Sequence, residues 1–204
     1  MCFHSQQTKK AIVVEKRFNA KIENSSMFND NAIYNAFTYP ITPVITDKAT
    51  DLIMQYHWGL IPNWAKDESI RAYTLNARIE TLSEKPSFKG VIKNRCLIIA
   101  DGFNEWQWLD KKGTKKQKYL LTHKTNEPFA FAGLYSYWVD KSTGEIRNTY
   151  TIVTTQANDL MSEIHNSKKR MPIILKPERE HLWLSGATIE DFKHDEIELI
   201  ATAI

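Results

Sequence analysis

The alternation of apolar and polar residues predicts short strands along most of the chain, with a few helices between them. Alternating stretches, and apolar runs bounded by turn residues, are typical of strands. Helices are predicted where apolar residues recur three to four positions apart, or where proline opens a turn. The predicted strands are residues 52–56, 96–108, 119–122, 129–139, 147–155 and 170–175, and the predicted helices are residues 8–20, a short segment up to Phe88, 158–165 and 177–184. This pattern predicts an α+β fold on antiparallel sheet, with helices at the periphery.

Details of the first helix follow from its residue types. Thr8 is a residue that caps helix N-termini, so the helix is predicted to begin there. Ile12 and Val13, with Lys16 and Arg17, give the helix an amphipathic face.

Prolines and tryptophans punctuate the segments that follow. Pro40 and Pro43 exclude a helix and predict an extended edge strand. Of the two tryptophans at positions 58 and 64, one is predicted in the core and the other as a surface platform. Residues 111–118 hold five lysines around a glycine and are predicted to form a solvated hairpin turn. The pattern of residues 189–204 does not distinguish a helix from a strand.

Length and composition limit the class of protein. A chain of 204 residues is expected to form a single domain, residues 1–204, with a sizeable core. A net charge of +3 permits nucleic-acid binding but does not argue for it. Neither a signal peptide nor a membrane-spanning run is apparent, so a cytoplasmic location is expected. Two cysteines provide no disulfide framework or zinc site, and Cys96 is predicted to be a buried, inert thiol.

The other cysteine, Cys2, follows the initiator methionine. Removal of Met1, which a small second residue favours, would leave a free α-amine beside a thiol. The α-amine titrates near pH 7.7–8.0, roughly, so part of it is uncharged in a cell. Such an amine condenses with an aldehyde to a Schiff base, and the thiol can then close a thiazolidine ring. The simpler interpretation is an early residue in a frayed terminus.

Three further residues suit aldehyde capture. Glu105 lies between Phe103 and Trp106, and apolar surroundings would raise its pKa toward neutrality, as an acid–base catalyst requires. Asn76 can bond an amine or a sugar, and His165 can shuttle protons near pH 7. The alternatives are an outward-facing strand glutamate, a turn asparagine and a helix-capping histidine.

The chain resembles the SRAP (SOS response-associated peptidase) family in its start, Met-Cys, and in the order of its motifs. These motifs are residues 58–64 (WGLIPNW), 75–81 (LNARIET), 100–106 (ADGFNEW), 164–165 (IH) and 170–172 (RMP). The resemblance extends from Cys2 to about Leu184. It implies a barrel-like antiparallel sheet and a protein that binds single-stranded DNA containing abasic sites. It further implies a thiazolidine crosslink to the lesion that shields it during the DNA damage response.

Residue roles are also implied by this resemblance. Cys2 would be the nucleophile and Asn76 would position its amine and the sugar. Glu105 would transfer protons in crosslinking and in autoproteolytic release of Met1, and His165 would assist at the opened sugar. The implied DNA-binding residues are Pro40, Trp64, Arg78 and Arg170.

Some positions depart from the family pattern. Phe3 and His4 stand where members often have glycine and arginine. Ser167, Lys168 and Lys169 lengthen the spacing between His165 and the RMP motif, and the added lysines could strengthen phosphate contact.

Three functions remain open from the sequence. The first is abasic-site capture with lyase-like Schiff-base chemistry. The second is a cysteine peptidase that uses Cys2, His165 and Glu105. The third is a non-covalent module for single-stranded DNA. We expect a monomer that needs no cofactor, metal or membrane and that associates with the nucleoid when bound to DNA.

Overall fold

The computed structural model describes residues 2–204 and contains fourteen strands and four α-helices within that range. The strands are β1 His4–Gln7, β2 Lys21–Ile22, β3 Ala32–Asn35, β4 Ile41–Thr46, β5 Ala49–Trp58, β6 Asn76–Arg78, β7 Arg95–Ala100, β8 Gly102–Trp108, β9 Lys116–His123, β10 Phe129–Val139, β11 Ile146–Gln156, β12 Arg170–Pro172, β13 Ile174–Leu175 and β14 Leu199–Ala203. The helices are α1 Ala11–Phe18, α2 Pro86–Lys89, α3 Asp159–Ile164 and α4 Glu180–Leu184. Short 3₁₀ turns occupy Ser25–Met27, Ala36–Thr38, Glu68–Tyr73, Ile79–Thr81, Pro177–Arg179 and Ile189–Phe192.

Five strands close into a barrel in the order β11-β10-β7-β4-β5, because β5 also pairs with β11. The closing pair is parallel, with Tyr150 opposite Trp58. The other four pairings of the ring are antiparallel. The short helices lie at the periphery, so the predicted α+β fold with a barrel-like antiparallel sheet is confirmed.

A second sheet, in the order β14-β9-β8-β1-β3, packs against the barrel. Side chains of each barrel strand alternate between two apolar clusters. One cluster joins the barrel to the second sheet and includes Cys2, Trp58 and Phe103. The other lies beneath α1 and α4 and includes Val14 and Trp183.

The predicted strand 96–108 is wrong as a single element, because the chain leaves the barrel and enters the second sheet at Asp101. The backbone N–H of Asp101 donates to the carbonyl of Gln6 at 3.0 Å. The Asp101 carboxylate accepts hydrogen bonds from the N–H and hydroxyl of Thr8 at 2.6 and 2.8 Å. Thr8 therefore fixes this bend and does not cap α1, which begins at Ala11 without a side-chain cap.

The predicted face of α1 is also wrong. Val14 is the buried residue of the helix, whereas Ile12 and Val13 are 65% and 43% exposed. The helix has only eight residues, so one inward position is enough to dock it on the barrel.

The proline segment is extended as predicted, but it is not an edge. β4 pairs with β5 on one side and β7 on the other. Pro43 is tolerated because the β7 ladder begins one residue later, at Val44. Residues 170–175 form β12 at the edge of the barrel sheet and β13, which are separated at Ile173. The undecided C-terminal segment supplies β14, which pairs with β9.

Three further predictions are confirmed. Trp58 is fully buried and Trp64 is 54% exposed, and Cys96 is fully buried. The lysine-rich segment turns the chain between β8 and β9. Within residues 2–204, none of the helices has both the length and the apolar character needed to cross a bilayer.

Candidate active site

Cys2 is held at the centre of the molecule by the strand that follows it. β1 is paired on both sides, so that His4 lies opposite Asn104 of β8 and Asn35 of β3. The Cys2 side chain is completely buried. The frayed-terminus interpretation is therefore wrong for this residue, and Met1 lies outside the described residues.

Hydrogen bonds fix the backbone around this cysteine. The Asn76 side-chain amide donates from Nδ2 to the carbonyl oxygen of Cys2 at 2.9 Å. The carbonyl of Phe3 accepts from the N–H of Ala36 at 2.8 Å, and the Phe3 ring packs on Phe37 with centroids 4.8 Å apart. The Cys2 thiol donates to the carbonyl of His4 at 3.7 Å. Residue 2 therefore keeps one position relative to β6 and β8.

Glu105 lies on β8, one residue beyond the last pair that β8 forms with β1. Its side chain is only 4% exposed, so the alternative of an outward-facing glutamate is wrong. Burial raises the pKa of the Glu105 carboxyl to about 7, as the flanking aromatic residues predicted. Burial, with the nearby Glu105 charge, raises the pKa of the Cys2 thiol well above its ordinary value. A carboxyl that exchanges protons near neutral pH thus lies close to a thiol that stays protonated.

Asn76 reaches Cys2 from β6, which pairs with β11 and places Asn76 opposite Ile152. Its Nδ2 is used in the bond to Cys2, while its Oδ1 is buried and has no hydrogen-bond partner within residues 2–204. An unused buried acceptor is costly unless another group satisfies it. This oxygen can therefore receive an N–H or O–H brought into the site.

His165 follows the last residue of α3 and is 7% exposed. Its Nδ1 lies 2.8 Å from the carbonyl oxygen of Arg170. The N–H of Arg170 also lies 3.2 Å from Nδ1, so the backbone of Arg170 contacts this ring nitrogen through both of its polar groups and leaves Nε2 as the other ring nitrogen. Burial lowers the pKa of His165 to about 4. The imidazole is therefore neutral at physiological pH, where it is a weak base.

The edge of β8 brings these groups together. The last pair between β1 and this edge joins His4 to Asn104. Because the strands are antiparallel, Cys2 lies past Asn104 in the direction of Trp108. Four residues along, the Trp108 N–H donates to Oδ1 of Asn166 at 3.0 Å, and Nδ2 of Asn166 donates to the Trp108 carbonyl at 2.9 Å. Cys2 and the segment that carries His165 therefore flank one short stretch of β8.

Arg170 is a buried clamp on His165. Its guanidinium forms a bidentate ion pair with Glu80, with N–O distances of 2.6 and 3.0 Å, and donates to the Thr154 carbonyl at 2.8 Å. Its carbonyl holds the histidine ring. A guanidinium used in this way has little capacity left for phosphate, and its predicted DNA contact stays a prediction. The role of Glu80 could not be predicted from the sequence because its partner, Arg170, lies 90 residues away.

We expect Glu80→Gln to loosen this clamp and raise the pKa of His165 from about 4 toward its ordinary 6.5, because water gains access to the ring. The pair is partly exposed on the Glu80 side, so the stability loss should be about 1–2 kcal/mol. NMR titration of the imidazole measures the pKa. Glu84→Gln changes the charge equally at an exposed position without an ion pair within residues 2–204, and it serves as the control. An unchanged His165 pKa in folded Glu80→Gln would contradict the clamp.

The remaining predicted DNA-binding residues lie at or near the surface. Arg78 is exposed and lies two residues beyond Asn76 on β6, so both project from one face while the intervening Ala77 is buried. Trp64 is exposed in the turn after β5, and Pro40 is half-buried, with its carbonyl accepting from the Trp58 N–H at 2.8 Å.

The site contains a thiol, a carboxyl, a carboxamide and an imidazole. Across the described part of the chain, no group of three or more His, Cys, Asp or Glu residues is arranged to hold a metal ion. The geometry places a carboxyl and an imidazole beside a fixed N-terminal segment, and such groups can transfer the protons that condensation of an amine with a carbonyl group requires.

Comparison with known proteins identifies relatives of this chain. "Abasic site processing protein YoqW" of Bacillus subtilis is 47% identical over 146 residues, which are 71% of this chain and 62% of YoqW. "Abasic site processing protein HMCES" of Gallus gallus is 32% identical over 167 residues, which are 70% of this chain and 48% of that protein. The chain thus spans about half to three fifths of these relatives.

A crystal structure of a Bacteroides thetaiotaomicron protein has the same fold, with a TM-score of 0.90, 37% identity and coverage of 100% of this chain and 92% of that one. A Bordetella bronchiseptica protein follows with a TM-score of 0.83, 25% identity and coverage of 100% and 99%. The model of the family "SOS response associated peptidase (SRAP)" matches residues 1–202. The chain therefore belongs to the SRAP family.

Proposed function

We propose that this protein captures abasic sites in single-stranded DNA through a covalent bond to Cys2, once Met1 has been removed. The observation that carries the proposal is the buried Cys2, fixed by Asn76 beside a carboxyl whose pKa is about 7. The printed names of the relatives, abasic site processing proteins, support the same substrate.

The reaction has two steps. The free amine of Cys2 attacks C1′ of the ring-opened sugar, and loss of the aldehyde oxygen as water gives an imine. The thiol then adds to the imine carbon while its proton moves to the imine nitrogen, which closes a thiazolidine. One water leaves, and the net bonds formed are N–C1′ and S–C1′. The same imine is the intermediate of lyase chemistry. Closure of the thiazolidine ring withdraws the imine from that reaction.

The order of the two nucleophiles follows from their environments. The raised pKa of the Cys2 thiol leaves almost no thiolate at neutral pH. An α-amine with a pKa of about 8 is partly free at that pH. The amine therefore reacts first, and the thiol reacts when a base can take its proton.

Each proton transfer of this reaction is assigned to a particular neighbouring side chain. Glu105, half protonated near pH 7, donates to the departing hydroxyl of the carbinolamine and afterwards accepts the thiol proton. His165 exchanges a proton with the hydroxyl of the opened sugar through Nε2. Asn76 holds the Cys2 carbonyl, and its Oδ1 receives a hydrogen bond from the amine. In release of Met1 by the protein itself, Glu105 serves as the same proton carrier.

The proposed DNA contacts are made by side chains at or near the protein surface. Arg78, on the same face of β6 as Asn76, binds the phosphate beside the lesion. Trp64 offers an exposed ring on which a base can stack, and Pro40 lies beside the following strand as an apolar surface.

A conventional cysteine peptidase is less well supported. Such an enzyme requires a thiolate beside an imidazolium. Burial here raises the pKa of the thiol and lowers the pKa of His165 to about 4, and both shifts oppose that ion pair.

A matched pair of oligonucleotides tests the proposal. One carries a natural abasic site, and the other carries its tetrahydrofuran analogue, which has no aldehyde. We expect a heat-stable adduct with the natural site only, and none when an uncleaved N-terminal extension blocks the Cys2 amine. An adduct with the analogue, or with the blocked protein, would contradict aldehyde capture by the amine.

A further inference from the structure

We propose that the cleft between the β8–β9 hairpin and the loop at residues 166–169 binds the nucleotides that flank the abasic site on one side. This inference rests on the proposed function and extends the DNA path beyond Trp64 and Arg78. We refer to the feature as the lysine cleft. It has a volume of about 540 Å³, and its lining residues are Trp108, Leu109, Asp110, Lys111, Asn166 and Ser167.

The lysine cleft lies next to the segments that carry His165 and Glu105, with Trp108 on the face of β8 opposite to Glu105. Asn166, on one wall, follows His165 in the chain, and its amide bonds both backbone groups of Trp108 on the other wall. Trp108 lies three residues beyond Glu105 on β8. A strand whose sugar is held at Cys2 therefore has the cleft within a few nucleotides of the lesion.

The charge around the cleft is strongly positive. Lys111 lines the cleft, and six exposed lysines in all lie on the two segments that form its walls; none of the six has an ion-pair partner within residues 2–204. They are Lys111, Lys112, Lys115, Lys116, Lys168 and Lys169. The nearby acids are Asp110 and Glu163, and Asp110 already accepts hydrogen bonds from the N–H and hydroxyl of Thr114. An excess of unpaired cations at a concave surface is complementary to phosphates.

The cleft also offers surfaces for bases. Leu109 is 60% exposed, and Trp108 beside it is half-buried, with Lys116 Nζ 5.6 Å from its ring centroid. Cations interleaved with apolar and aromatic surface are what sequence-tolerant binding of single strands requires. This composition favours a nucleic-acid strand over an acidic peptide, which would gain no stacking.

The loop holds its lysines outward through its backbone. The N–H groups of Lys168 and Lys169 both bond the carbonyl of His165, at 3.3 and 2.8 Å. Lys169 has a φ of 49°, a left-handed conformation that glycine adopts more easily. The loop therefore presents two adjacent cations at a backbone position that is unfavourable for a lysine.

The test combines Lys168→Ser with Lys169→Gly, which removes both charges and relieves the left-handed strain, so the variant should fold at least as well. Lys85→Ser with Lys89→Ser, at exposed positions around α2, lowers the net charge equally and is the control. Capture rates are measured at limiting DNA with abasic oligonucleotides that carry one to six nucleotides on the 5′ or the 3′ side.

We expect wild type to react faster as one side is lengthened, and the loop variant to lose about five- to twentyfold with long DNA but nothing with the shortest. Loss of two phosphate contacts should also make the slope of the logarithm of the DNA-binding constant against the logarithm of salt concentration shallower by about 1.4. Equal rates for the loop and control variants at every length would overturn the cleft. An equal loss of rate with the shortest DNA would also overturn the cleft. It would show that the loop acts by positioning His165. Absence of capture by wild type would instead refute the proposed function.

Discussion

Cys2→Ala should abolish the heat-stable adduct with an abasic oligonucleotide, a loss of at least about a thousandfold, because no other side chain can supply the thiol that closes the ring. The processed variant keeps an N-terminal amine at residue 2, so it should still form the imine. A denaturing gel run after borohydride reduction should therefore recover an adduct from Cys2→Ala, and the same gel without borohydride should show none.

Cys96→Ala is the matched control for this result. Cys96 is the other cysteine of the chain and is fully buried in the barrel, where the adjacent Gly133 leaves little free space. We expect the folded variant to form the adduct at the wild-type rate. A heat-stable adduct from Cys2→Ala without reductant, or its loss in folded Cys96→Ala, would show that the thiazolidine assignment is wrong.

Glu105→Gln should slow capture by about a hundred- to ten-thousandfold, because the amide cannot move the proton that dehydration requires. The wild-type rate should rise with pH as the amine loses its proton, and fall above about pH 7 as Glu105 ionises. The variant should lose the falling limb and keep the rising one. Single-turnover rates between pH 5.5 and 9 measure both limbs, and a variant that keeps the full bell-shaped profile would remove Glu105 from the mechanism.

The same substitution should affect stability in the opposite direction. The folded pKa of Glu105, about 7, is raised above its ordinary 4.5, so its contribution to stability is fully present below pH 4.5 and is lost as pH rises through 7. At pH 9 the ionised, buried carboxylate costs up to about 3 kcal/mol. Thermal unfolding should therefore show Glu105→Gln to be more stable than wild type at pH 9 and nearly equal at pH 5. Greater stability of wild type at pH 9 would contradict the burial argument.

Local pattern predicted the elements well where runs of strand- or helix-forming residues are bounded by turn and capping residues. β10 and β11 are long runs of strand-forming residues that are buried over most of their length, and α3 follows the capping residue Asn158, whose Oδ1 accepts from the Met161 N–H at 2.9 Å. The large apolar neighbours Phe103 and Trp106 made an interior Glu105 one of two alternatives, and its burial decides between them.

Features set by distant contacts could not be predicted in this way. Residues 96–108 are apolar on both sides of Asp101, so only its bonds to Thr8, 93 residues away, reveal the break between the two sheets. The pairing of Arg170 with Glu80 is equally non-local. Burial of Cys2 depends on β1 being inserted between β3 and β8, which no short window of sequence contains.

Intact mass spectrometry of the purified protein, before and after incubation with an abasic oligonucleotide, tests the central claim most directly. We predict that the protein lacks Met1, and that after incubation and denaturation without reductant it gains the mass of the oligonucleotide minus one water. A processed protein that gains no mass, or that gains it only after reduction, would contradict covalent capture by an N-terminal cysteine.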